Sequence, residues 1–71
     1  MEIKTRVPGI ITEVLVEEGQ HVDVKTRVAT IEAMKMMQGI LSPVAGTVEE
    51  ITVEPDERVK GGAVIMVIDE D

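Results

Sequence analysis

The six residues Glu32-Ala33-Met34-Lys35-Met36-Met37 set a primary amine among three of the five methionines of the chain. The other lysines, Lys4, Lys25 and Lys60, have no such neighbours. A lysine amine is almost wholly protonated at neutral pH, so it is a nucleophile only where something removes its proton. No acid or base beside Lys35 in the sequence offers that help. The stretch therefore reads in one of two ways. Either the methionines are gap-fillers of a core and Lys35 is a solvated turn residue, or the segment displays Lys35 to another protein that supplies the catalysis.

Composition narrows the choice. Seventy-one residues make one domain at most, near the size at which a single core is barely sufficient. Ordering a residue costs roughly 1.5 kcal/mol, so nearly every apolar side chain must be buried. The apolar fraction of 44% contains no Phe, Tyr or Trp. The core is thus expected to be Val, Ile, Leu, Met and Ala in thin, closely packed layers. With no cysteine and a single histidine, His21, the parts of a Ser/His or Cys/His pair and of an ordinary zinc site are missing. That weighs against a free-standing enzyme. A net charge of −7 argues against nucleic acid, which needs a basic face. No apolar run approaches the ~18 residues of a membrane helix, and no signal-peptide pattern opens the chain. The expected location is cytoplasmic, without membrane insertion.

The elements that must position Lys35 are short strands. Residues 10–19, 26–34, 46–57 and 63–71 form β-branched runs, Gly and Pro fall between them, and no stretch has sustained helical periodicity. The runs also repeat. Sliding residues 7–32 onto 44–69 matches Val7 with Val44, Gly9 with Gly46 and Glu13 with Glu50. Val16 then meets Val53, Glu17 meets Glu54, Val22 meets Val59 and Ile31 meets Ile68. Two similar β layers bury their apolar faces best against each other, which predicts an all-β flattened barrel or sandwich with approximate two-fold symmetry. Lys35 has no counterpart, because its equivalent position would lie one residue past Asp71. The segment 33–38 is then a connecting hairpin, expected at the end of the molecule opposite the termini.

The spelling Glu-Ala-Met-Lys-Met, with Ser42-Pro43 seven residues after the lysine and Pro8-Gly9 upstream, resembles the biotin carboxyl carrier domain of biotin-dependent carboxylases and decarboxylases. The resemblance runs from about Ile3 to Ile68. It implies two four-stranded antiparallel sheets, biotin attached covalently to Lys35, and recognition by Met34 and Met36, with Ala33 and Glu32 completing the motif. It further implies a non-catalytic carrier whose partners are a biotin protein ligase and the biotin carboxylase and carboxyltransferase sites between which biotin carries carboxylate. Two other readings stay open: a lipoyl-type acyl carrier, whose lysine usually stands between an acidic residue and Ala, and an unmodified interaction module of the same fold.

Four departures from the family pattern matter. Val7 replaces the usual Met before Pro-Gly, and Met37, Gly39 and Leu41 make the strand after the motif unusually apolar. There is no room for the inserted thumb of some carriers. Lys25 stands where a glycine usually ends a turn, as Gly62 does in the second copy, so Lys25 is expected to accept a positive φ. His21 reads as a solvated turn residue, and Glu17, Glu18, Glu49, Glu50, Glu54 and the Asp69-Glu70-Asp71 tail as a solvated acidic skin.

Overall fold

Two strands carry half of the buried hydrophobic residues. In β4 (Arg27–Ala33) the buried residues are Val28, Ala29, Ile31 and Ala33, and in β8 (Val64–Glu70) they are Ile65, Met66 and Ile68. Val28/Ile65, Ala29/Met66 and Ile31/Ile68 are pairs related by the 37-residue offset. The computed structural model describes all residues, Met1–Asp71, and contains only strands and turns. The remaining strands are β1 (Glu2–Lys4), β2 (Gly9–Val14), β3 (His21–Val22), β5 (Met36–Leu41), β6 (Gly46–Ile51) and β7 (Arg58–Val59).

These eight strands form two four-stranded antiparallel sheets, in the orders β1-β8-β6-β3 and β5-β4-β2-β7. The orders interchange when each strand is replaced by its repeat equivalent. Thirteen buried side chains between the sheets make one cluster, with Ile11, Val28, Ile65, Met66 and Ile68 at its centre. Each such aliphatic side chain contributes about 1.5–3 kcal/mol through burial. This is the expected flattened two-sheet architecture, about 34 Å long and 18 Å across. No ladder joins the two sheets, so the barrel is not closed.

The repeat extends below the level of matched residues. Thr5 and Ser42, which differ, are both buried. The Thr5 hydroxyl donates to the Val7 carbonyl at 2.8 Å, and that of Ser42 to the Val44 carbonyl at 2.6 Å. Glu17 N–H donates to the Gln20 side chain, and Glu54 N–H to the Glu57 carboxylate, each at 3.1 Å. Positive φ recurs at Gly19 and Asp56 (89° and 69°) and at Lys25 and Gly62 (70° and 87°). Lys25 thus adopts the conformation that the repeat demands of it.

Crossed pairing locks the halves together. The second-half strand β7 pairs with β2, and the first-half strand β3 pairs with β6. Short elements of two residues hold because each is a rung added to the other half's sheet.

Candidate functional site: the β4–β5 hairpin tip

β4 and β5 pair from Arg27↔Leu41 to Ala33↔Met36, with a register shift between Arg27 and Ala29, leaving a two-residue loop, Met34-Lys35. Both loop residues have positive φ, 55° and 64°. Two consecutive left-handed residues match the right-handed twist of the flanking strands, which is why such loops close tight hairpins. Asn-Gly is the usual solution; side chains with a Cβ cost about 1–2 kcal/mol each in this conformation. Here a strained backbone coincides with the residues the sequence singles out.

Support comes from beneath. Ala33 is buried, and Gly9 of β2 lies so close to it that an added Cβ would collide with the Glu32 carbonyl. Gly46 bears the same relation to the Asp69 carbonyl at the other end. Small residues at Gly9 and Ala33 therefore let the base of the hairpin pack tightly while its tip projects.

The tip is displayed. Met34 is 85% exposed, Met36 63% and Met37 56%. Lys35 is exposed and has neither a hydrogen bond nor an ion pair; the two ion pairs of the molecule are Lys4–Glu2 and His21–Asp71. Of the five methionines, only Met66 is in the core. The gap-filler reading of Met34, Met36 and Met37 is therefore incorrect: Met34 lies in the loop, Met36 and Met37 stand exposed on the edge strand β5, and of that strand only Ile40 packs against the core. Among the motif residues, Met34, Lys35, Met36 and Glu32 are exposed, whereas Ala33 is turned inward and supports the loop.

The hairpin is far from the termini. The chain leaves Met1, whose ammonium donates to the Ile68 carbonyl at 2.9 Å, and passes through β1 before Gly9 reaches Glu32 and Ala33. Asp71 N–H donates to the Ala45 carbonyl beside Gly46 at the opposite end. His21 belongs to that end too, its Nε2 2.9 Å from Asp71 Oδ2. The hydrogen bond to Asp71 raises the His21 pKa above its ordinary value; desolvation opposes it, and the charges of Asp71 and Asp23 add lesser upward pushes. His21 is thus a clasp for the chain end as well as a solvated residue, a partnership too distant in sequence to be anticipated.

Two concavities flank the hairpin. A groove of about 460 Å³ runs between the edge strands β1 and β5, with Ile3, Ile31 and Ile40 among its apolar lining. A smaller notch beside the tip is lined by Ile10, Met34, Arg58 and Lys60 together with Glu32 and Val59. The free amine of Lys35, at the end of a flexible stem with open solvent around it, is a group that could carry a cofactor covalently. The residues present fit such an attachment: an unpaired nucleophile at the apex, exposed flanks, and a buried base that fixes its direction.

Comparison with known proteins agrees with this geometry. The biotin/lipoyl family, described as biotin-requiring enzyme, matches residues 1–68. The dihydrolipoyllysine-residue acetyltransferase component of the pyruvate dehydrogenase complex of Buchnera aphidicola is 35% identical over 57 residues, 80% of this chain and 14% of that protein. A single-chain, multi-domain long-chain acyl-CoA carboxylase superimposes over the whole chain with a TM-score of 0.94 at 24% identity, the matched part being 7% of that protein. The Kluyveromyces lactis urea carboxylase superimposes over 97% of the chain with a TM-score of 0.91 at 25% identity, covering 6% of its own length. The chain therefore spans a small fraction of each of these proteins. On the match of residues 1–68, the chain belongs to the biotin/lipoyl family of biotin-requiring enzymes.

Proposed function

We propose that the chain is a biotin carrier: Lys35 is acylated by biotin, and the domain presents the attached group to the active sites of a biotin-dependent carboxylase or decarboxylase. The observation that carries this reading is the unpaired Lys35 amine at the apex of a two-residue turn, between the exposed Met34 and Met36. The Lys35 nitrogen attacks an activated biotin carboxyl presented by a biotin protein ligase. One amide C–N bond forms, the bond to the leaving nucleotide breaks, and the amine proton is lost to the ligase or to water. Met34 and Met36 offer the ligase two thioether contacts, soft and adaptable in shape. Ala33 and Gly9 hold the turn so that the amine points away from the sheets.

Once bound, biotin supplies a carboxylate carrier between a carboxylase site and a transferase site. The contribution of this chain is tethering, which gives each active site an effective concentration of order mM without a new contact. The partners are the ligase and the biotin carboxylase and carboxyltransferase sites, in the cytoplasm. Catalytic chemistry resides in those partners and in the cofactor.

A specific observation favours a second reading. The 35% identical relative is a dihydrolipoyllysine-residue acetyltransferase component, so a lipoyl group on Lys35 is the alternative. The experiment is intact-mass measurement of the purified chain after co-expression with a biotin ligase and, separately, a lipoyl ligase. One biotinyl adduct, absent from Lys35→Ala, supports the proposal. A lipoyl adduct alone moves the assignment to the second reading, and no adduct with either ligase leaves an unmodified interaction module. Met34→Ala with Met36→Ala should slow modification while leaving the melting curve unchanged; an unchanged rate removes the methionines from recognition.

A further inference from the structure

The two ends of the molecule share a backbone and differ in charge. Because β7 pairs with β2, Ile10 stands opposite both Glu32 and Arg58, and Glu32 stands opposite Met37. A row Met37–Glu32–Ile10–Arg58 thus crosses all four strands of one sheet just below the tip. Lys60 follows Arg58 and lines the same notch as Met34 and Ile10. Arg58 and Lys60 are exposed and have no acidic partner. Glu57, the acid preceding Arg58, has its carboxylate engaged by the Glu54 N–H. At the repeat-equivalent places stand His21 and Asp23, with the Asp71 carboxylate against His21. In a chain of net charge −7, the cations Lys35, Arg58 and Lys60 outnumber the one acid of the notch, Glu32, so the tip end is a cationic spot and its counterpart is acidic.

We infer that this notch is a docking surface for an acidic protein surface, that of the ligase which modifies Lys35. Ile10 and Met34 form its apolar centre and Arg58 and Lys60 its cationic rim, while Met37 lies beyond Glu32 at the outer edge of the same face. The inference rests on the assignment of Lys35 as the attachment site. Complementary charge raises encounter rates by ten to a thousandfold and loses that gain as salt rises. The acidic body of the domain is at the same time repelled by an acidic partner. Wrong-end encounters are disfavoured, and the tip arrives first.

The test is the kcat/KM of a biotin protein ligase acting on the unmodified chain, with biotin and Mg-ATP saturating. Sodium chloride is varied from about 20 to about 200 mM, across which the screening length shortens from roughly 20 Å to 7 Å. The expected result is a fall of about tenfold for the wild type. R58Q/K60Q should start about tenfold lower at low salt and respond weakly to salt; Lys60→Gln alone, in an exposed turn, should do so in part with an unaltered melting curve. Met37→Ser should raise KM and keep the wild-type salt slope, separating the apolar edge of this face from the cationic rim. Wild-type rate and salt slope in both charge variants overturn the inference while leaving the attachment site standing. No modification of Lys35 by either a biotin or a lipoyl ligase overturns the attachment site, and the inference with it.

Discussion

At one end of the molecule Gly9 lies under the Glu32 carbonyl, and at the other Gly46 lies under the Asp69 carbonyl. From there the two ends diverge. One continues through Met34 and Lys35 into a hairpin; the other stops at Asp71, held by the Ala45 carbonyl and His21. Most matched residues are glycines, buried aliphatics and turn formers, which answer to packing, although the exposed strand pair Glu13 and Glu50 also matches. Buried mismatches such as Thr5 against Ser42 and Ala29 against Met66 still fill the same layers. Arg58 and Lys60 against His21 and Asp23 are exposed, and packing makes no demand on them. Exposed differences between the repeats therefore point to residues available for recognition.

That comparison can be broken first in the core. Ile31 and Ile68 are equivalent and essentially fully buried, so Ile31→Ala and Ile68→Ala should each cost about 3–4 kcal/mol in urea unfolding. Costs that differ by more than about 1 kcal/mol would show that the halves are not equivalent in packing. The tip offers a sharper contrast. M34N/K35G relieves two left-handed residues and should stabilise the fold by about 1–2 kcal/mol while abolishing modification. A neutral or destabilising result would mean that Met34 and Lys35 are held by contacts that the double variant removes. A smaller effect is expected at the turns. Lys25→Gly should stabilise, and Gly62→Lys destabilise, by about 0.5–1 kcal/mol, the left-handed penalty less the added freedom of glycine in the unfolded chain.

The smallest effect concerns the clasp at the chain end. The folded-state pKa of His21 is raised, with the Asp71 hydrogen bond as the main cause. Its stabilisation is therefore fully present below the ordinary value of 6.5 and is lost as pH rises through the raised value. The melting temperatures of wild type and His21→Gln should differ at pH 5.5 to 6 and converge by about pH 8. A difference that grows towards alkaline pH would have the wrong sign for this pair.

Much of this arrangement was legible in the sequence, for reasons that particular residues make plain. The runs containing β2, β4, β6 and β8 announce themselves through β-branched spacing, and the offset matching Ile31 to Ile68 implies two stacked layers. The strands β3 and β7 are two residues long, too short for any periodicity, and β1 is only three. Their places depend on pairing partners: Arg58 reaches Ile10 across 48 residues of chain, and nothing local signals it. The cationic notch is hidden for the same reason, and its one local sign is the change of charge between the repeats, Lys60 against Asp23. Met37 is resolved by register, which places it opposite Glu32 on the outer face of the sheet.

The pairing of Met1 with Ile68 has a topological meaning. Met1 and Ile68 exchange backbone hydrogen bonds, and their repeat equivalents, Gln38 and Ile31, stand opposite one another in the β4–β5 ladder. Met1 is thus the equivalent of Gln38, and Asp71 that of Met34. Lys35, Met36 and Met37 are therefore the three residues that join two points whose equivalents, Asp71 and Met1, meet the same strands across the two-fold. The stretch that bears Lys35 is accordingly a link laid over the symmetric frame and not a part of it.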